Sequence, residues 1–237
     1  MLDKSKSEEK KLVFILFLFS LAIRLIIFLN SNDTNTLGDP LHAIRLGWSI
    51  INFVHHHNPP LGIYLIKIAL LFSKSAMAIR IPNLILGSLL VVPFYYLVKT
   101  LYSPEIAFFS SIALGVFYKH IDISVTSCAE ISFYFFAFTA LYFFSKFKQA
   151  EHKKIAFITL SALALTLTTM TRYESWLLIP ILCVFLIKEK KKYLFRFFFV
   201  SMIFPLLWMS LNYRFLGNPI AFYFRQVSDF KFKGLDS

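Results

Sequence analysis

The sequence predicts an all-α integral membrane protein: about seven transmembrane helices, with an outer-face loop carrying interfacial helices. Three observations lead there. Of 237 residues, 57% are hydrophobic and only 16% charged, with a mean hydropathy of +0.65; a soluble domain of this length carries more charge. Long apolar stretches recur between short basic loops, as in chains that cross a bilayer repeatedly. Strand-like alternation is absent, which argues against a membrane barrel.

The formal net charge of +12 is compatible with nucleic acid. The Lys and Arg residues cluster beside apolar runs, however, where they orient membrane helices and meet anionic headgroups. Membrane lipids, not nucleic acid, are the expected partners. Cys128 and Cys183 fall at different depths, so no disulfide is expected. Neither has metal-ligand spacing, and no dedicated metal site is assigned.

Residues 1–11 read as a charged cytoplasmic tail. The first span, 12–29, is too long for a signal-peptide core and has no small-residue cleavage site after it, so it reads as a retained anchor. Arg24 within it has two readings: snorkelling to the outer headgroups, or pairing with a carboxylate in the bundle. An outer loop, 30–75, follows. Its segment 59–72 is about 14 residues, or about 21 Å of helix, against a hydrocarbon core of about 30 Å. Lys67 and Lys74 fall on one face of it. It reads as an interfacial or re-entrant helix, not a span. Further spans are expected at 77–98, 106–118, 131–144, 155–171, 176–187 and 193–211. They complete a membrane module at 12–213, followed by an outer-face tail at 214–237.

Charge decides the topology. If 59–72 does not cross, then Lys4, Lys6, Lys10, Lys11, Lys99, Lys146, Lys148, Lys153, Lys154, Lys188, Lys190, Lys191, Lys192 and Arg196 all share the side of the N-terminus. The opposite loops keep Arg45, Lys119 and Arg172, plus the C-terminal tail and the two lysines of the short helix. The positive-inside rule makes the first side cytoplasmic. Asp39, the histidines, Asp122, Glu130, Arg172, Glu174 and Arg214 then come to the outer face.

Several of these residues can carry chemistry. Asp39, in Gly38-Asp39-Pro40, is either a helix N-cap with Pro at the first position or a general base or metal ligand. His55, His56 and His57 project in different directions, so they do not form one metal site. The segment is a polar loop, or supplies one histidine to a phosphate. Pro59 and Pro60 fix the backbone where it enters the short helix. Asp122 and Glu130 flank the second outer loop as dipole partners or as reactive acids. Glu130 precedes the apolar run ISFYFFAFTALYFF. In TRYESW, Arg172 and Glu174 are too close in sequence to share a helical face. That segment is a headgroup anchor through Tyr173 and Trp176, or a phosphate grip through the planar fork of Arg172. Gly217-Asn218-Pro219 reads as a turn. Asn32-Asp33-Thr34 is a glycosylation sequon, relevant only in a secretory pathway.

Asp39, NPPLGIYLIKIALLFSKSAMAIRIPNLILGSL, SCAEISFYFF, TRYESWLLIP and NYRFLGNP, in this order, resemble the GT-C superfamily of membrane glycosyltransferases. That group contains the protein O-mannosyltransferases and the lipid A aminoarabinose transferases. The resemblance covers nearly the whole chain. It implies an inverting transfer of a sugar from a polyprenyl-phosphate donor to a lipid, glycan or protein acceptor outside the cytoplasm, in a bacterial inner (plasma) membrane. It implies that Asp39 deprotonates the acceptor and that Glu130 fills the second acidic position, for which Asp122 competes. His57, Asn58, Arg172 and Glu174 would line the donor site, with a divalent cation left open as cofactor. Two departures stand out. The first acidic motif is Asp39-Pro40 where the family often has Asp-Glu, and relatives usually carry more spans and often an outer soluble domain. The competing reading is a non-catalytic membrane protein: a lipid-carrier binding subunit, a transporter or an inactive module. A transporter calls for polar or broken helices at mid-membrane, and Pro93, Pro180 and Pro205 are the main breaks on offer.

Overall fold

The computed structural model describes residues 2–31, 59–73, 75, 77–126 and 128–224, and every regular element among them is helical. Helix α1 (Leu2–Asn30) is 29 residues long and begins inside the charged segment read as a tail. The reason is local. Lys, Glu and Ser with no Gly or Pro support a helix, and Glu9 ties it to Lys99 at 2.5 Å. Asn30 Nδ2 and Ser31 Oγ close its far end by donating to the carbonyls of Ile26 and Phe28.

Helix α2 (Leu61–Phe72) is short. A 3-10 turn (Ala78–Arg80), α3 (Ile81–Leu89) and α4 (Val91–Leu101) form one rod of 24 residues with a hitch at Leu90. Pro93 explains the hitch, because it has no N–H for the carbonyl four residues earlier. Helix α5 (Pro104–Val116) starts on a Ser103 cap, with Pro at its first position. It bends by 60° into α6 (Tyr118–Ser124). Then come α7 (Ala129–Gln149), α8 (Lys154–Thr169), a 3-10 turn (Tyr173–Leu177) and α9 (Leu178–Leu186). Helix α10 (Lys191–Ser201) meets α11 (Ile203–Leu216) at a 40° bend, where Pro205 removes the bond to Ser201. Gly217 ends α11 at φ 70°, the left-handed position a glycine favours, and Asn218 Oδ1 accepts from the Ile220 amide at 3.0 Å. The turn expected there is present.

Ser7–Asn30 and Ala78–Leu101 are each long and apolar enough to cross a membrane, and counting each bent pair as one span gives four. The other helices pack laterally through small residues and interhelical hydrogen bonds, as helices do in lipid. Ser161 Oγ on α8 donates to Ala140 O on α7 at 2.8 Å, and Thr166 Oγ1 donates to Val200 O on α10 at 2.8 Å. Around these contacts Phe144, Phe147, Leu165 and Phe197 make the largest buried apolar cluster.

The contacts define two chemically different ends. At one, Lys99 meets Glu9, Gln149 Nε2 donates to Thr100 O at 2.6 Å, and Lys148 meets Glu189 at 2.8 Å. This is the basic end. At the other, the Leu61 amide donates to Met170 O at 2.9 Å, Arg80 Nε donates to Val125 O, and Arg172 meets Glu130. Helix α2 stays at this second end, its Ile63 and Ile66 packed with Ile79 and Trp208. Lys67 is only 4% exposed, turned into the protein, while Lys74, expected on the same face, lies outside the described residues.

Arg24 follows neither expected reading. It is fully buried, and among the described residues it bonds Ser20 of its own helix, the last turn of α5 and the His120 ring instead of a carboxylate. Its Nη1 donates to Ser20 O at 3.0 Å, Ser20 Oγ at 2.6 Å and Gly115 O at 3.2 Å, and its Nη2 to His120 Nδ1. The α5–α6 break leaves carbonyls without helical donors, and the negative end of α5 suits a cation. Nδ1 accepts, so His120 carries its proton on Nε2.

Close packing predicts one intolerant position. A Cβ on Gly87 would lie 2.6 Å from Ser124 Cβ, across the α3–α6 contact. Gly87→Ala is expected to cost about 1–3 kcal/mol in thermal unfolding of the solubilised protein. Adding Ser124→Gly should recover most of the loss.

Candidate functional site

The loop between α8 and α9 is built by side chains that close the carbonyl end of α8. Thr171 Oγ1 donates to Thr168 O at 2.6 Å, Ser175 Oγ to Thr168 O at 3.1 Å, and Trp176 Nε1 to Thr169 O at 3.2 Å. Tyr173 stacks on Phe222 at 4.3 Å and accepts from Trp208 Nε1 at 2.9 Å. Tyr173 and Trp176 therefore turn their polar atoms to the protein.

This scaffold holds Arg172 in an extended conformation (φ −148°, ψ 142°), just before the 3-10 turn that carries Glu174. The extended residue lets both side chains meet although they share no helical face. Arg172 Nη2 and Nε donate to the two oxygens of Glu174 at 3.0 and 3.3 Å, while Nη1 donates to Glu130 Oε1 at 2.5 Å. Glu130 comes from the first turn of α7, where the helix dipole favours a carboxylate. Side-chain exposure is 37% for Glu130, 34% for Arg172 and 56% for Glu174. The cluster is open to a ligand, and one cation against two carboxylates leaves it net negative. Among the described residues no group of three or more His, Cys, Asp or Glu is placed to hold a metal.

The structure thus joins Glu130, Arg172 and Glu174. Asp122 is set apart, paired with Lys119 at 3.2 Å, so it does not compete for Arg172. Arg214 is exposed on the last turn of α11. Asp39, His55, His56, His57 and Asn58 lie outside the described residues. Pro59 and Pro60, which follow them, are buried, and Leu61 and Gly62 adjoin Met170 and Ala129, the neighbours of the cluster. Sequence reasoning missed Arg80 and Asn83. The signal was available as an ionisable residue and an amide opening an apolar run.

Electrostatics give a pH prediction. The Arg172 hydrogen bond holds the Glu174 carboxyl below its usual value, and Glu174 in turn raises Arg172, which stays charged throughout. A lowered carboxylate contributes stability above its unfolded value, and loses it as pH falls through the folded value. Wild type should be slightly more heat-stable than Glu174→Gln at neutral pH. The gap should close as pH drops below about 4, as read by melting in detergent.

Together these features define an integral membrane protein with an acid–arginine cluster at the end of the bundle opposite its basic loops. The chain belongs to the dolichyl-phosphate-mannose-protein mannosyltransferase family, whose pattern matches residues 57–213, and so to the GT-C superfamily. Two solved structures share its fold. The Archaeoglobus fulgidus oligosaccharyltransferase, in the apo form, is 18% identical with a TM-score of 0.60, over 84% of this chain and 29% of that one. The S. cerevisiae protein O-mannosyltransferase Pmt1–Pmt2 complex, bound to the sugar donor, is 18% identical with a TM-score of 0.62, over 92% of this chain and 34% of that one. The chain thus spans about a third of the length of each. Comparison with curated proteins finds no match.

Proposed function

We propose that this chain moves a sugar from a polyprenyl-phosphate donor to an acceptor hydroxyl on the outer face of the membrane. The observation that carries the proposal is the Glu130–Arg172–Glu174 cluster, placed opposite the basic end in a chain of this family. With the basic end cytoplasmic, this reading takes as crossings the rods α1 and Ala78–Leu101 and the bent pairs α5–α6 and α10–α11, with α7, α8 and the Tyr173–Leu186 segment completing the seven expected. In this reading α2 lies along the outer leaflet.

In this reading the acceptor oxygen attacks the sugar's anomeric carbon and its proton passes to a carboxylate, Asp39. The bond from that carbon to the phosphate oxygen breaks with inversion, and the electron pair leaves with the lipid phosphate. Such a leaving group asks mainly for a placed base and a facing cation. Glu174 holds the Nε–Nη2 edge of Arg172 by longer bonds and is the more exposed partner. The donor phosphate replaces it there, since that edge fits two oxygens. Glu130 keeps Nη1 and holds the guanidinium in place, and His57 and Asn58 complete the phosphate contacts. An apolar groove of about 480 Å³ supports a lipid-linked donor. It runs between α9, α10 and α11 from Trp176 to Ile187 and Leu194, and begins four residues from Arg172.

The test is transfer from dolichyl-phosphate mannose to a threonine-containing peptide by proteoliposomes holding the purified chain. Donor-dependent product supports the proposal. No product with this or other polyprenyl-phosphate sugars and acceptors favours a lipid-carrier binding role.

A further inference from the structure

Helix α7 carries Glu130 in its first turn, yet the sequence ahead of it is poorly suited to fix a helix start. Cys128 occupies the N-cap and its side chain makes no capping bond, and a thiol is a weak acceptor. The position of that first turn is set from elsewhere. Asn83 on α3, 6% exposed, donates through Nδ2 to both Thr126 O and Cys128 O, each at 2.7 Å. Two carbonyl partners also settle which end of the amide is the nitrogen. One turn earlier, Arg80 Nε donates to Val125 O at 2.5 Å, with the guanidinium 4.5 Å above the Phe28 ring. Three carbonyls of the 125–128 segment are thus held by two side chains of another helix.

We propose that Asn83, backed by Arg80, is a positioning residue for transfer. Its amide fixes the carbonyls of Thr126 and Cys128, and through them the Glu130 carboxylate that holds Arg172 toward the donor. The proposal deepens the transferase reading and rests on it. Asn83 touches neither donor nor acceptor; its loss acts only through Glu130 and Arg172.

The experiment uses the full chain in proteoliposomes, with dolichyl-phosphate mannose as donor and a threonine-containing peptide as acceptor. Asn83→Ala is expected to lower kcat about 10-fold and to raise KM for the donor in the same direction as Glu130→Gln but less far, and Asn83→Ser, which keeps one donor hydrogen, to fall between. In a Glu130→Gln background Asn83→Ala should cost less than about twofold further, because residues that act as a unit are not additive. A second measurement needs no activity. With Cys183 replaced by Ala, maleimide labelling of half-buried Cys128 should quicken about fivefold in Asn83→Ala, as the 126–128 segment loosens. Unchanged Cys128 labelling overturns the proposal, as does an equal loss of kcat in both backgrounds. If the wild type transfers nothing, the transferase reading fails on its own, and the Cys128 rates still decide whether Asn83 orders this segment.

Discussion

Exchange of Glu130 for glutamine is expected to lower sugar transfer about 100-fold while leaving thermal unfolding nearly unchanged. Glutamine has almost the same shape, and its carbonyl oxygen can still accept from Arg172 Nη1, now at 2.5 Å from Glu130. Glu174 continues to hold the other edge of the guanidinium. What disappears is a negative charge in the first turn of α7, and with it the firm hold on the cation that faces the departing phosphate. Asp39→Asn is expected to lose about as much activity for a different reason. Asparagine caps a helix about as well as aspartate, so a purely structural Asp39 predicts no loss, whereas a base that has lost its proton acceptor predicts about 100-fold. The two variants separate in donor binding. Glu130→Gln should raise KM for dolichyl-phosphate mannose, because Arg172 is misplaced, and Asp39→Asn should not. Wild-type rates in either variant, at matched protein levels in proteoliposomes, would remove that residue from the mechanism.

Trp208→Ala is expected to give the largest loss of stability, about 3–5 kcal/mol, read by thermal unfolding in detergent. The indole is buried where α11, α2 and the α8–α9 loop converge, stacked on Phe204 at 5.5 Å and packed with Ile63, Ile66, Ile79 and Phe222. No lipid tail can refill a space enclosed by protein, so the cavity term stays. The change also removes the Nε1 donor to the hydroxyl of Tyr173, the residue next to Arg172. Trp208→Phe keeps most of the packing and loses that bond, for about 1 kcal/mol. Transfer should fall in both variants in step with the loss of order at Tyr173. A Trp208→Ala protein that melts like wild type would show that this aromatic junction does not hold the site.

What the sequence disclosed followed from period and length. The rods of α1 and Ala78–Leu101 could be read as unbroken apolar runs, and the turn at Gly217 from its composition. The segregation of lysines to one end agrees with the contacts of Glu9, Gln149 and Glu189. Glu130 and Arg172 could be named as candidates because charge next to a membrane run is costly. Their pairing was not legible, since they are 42 residues apart. Helical spacing even argued against Arg172–Glu174, because it assumed a helix where the backbone is extended. Asn83 was passed over because an amide opening a helix has many local uses, and only the fold brings it to the carbonyls of Thr126 and Cys128. Arg24 was read with the partners a charge usually has, and the carbonyls released by a helix break are invisible until the break is known.

Arg24 also sets a condition on how the chain is made. Its acceptors beyond its own turn are 91 and 96 residues downstream. At a synthesis rate of about 5–20 residues per second, the first span waits roughly 5–20 seconds for them. Throughout that interval α1 carries an arginine whose cost at the centre of a span is about 2.5–3.5 kcal/mol. Long apolar flanks let α1 insert despite that cost. Until α5 and α6 emerge, a long arginine side chain is expected to keep its guanidinium toward water; their carbonyl and imidazole acceptors then replace that water. Assembly of this part of the bundle is therefore timed by translation: α1 cannot take its final contacts until α5 and α6 have been made.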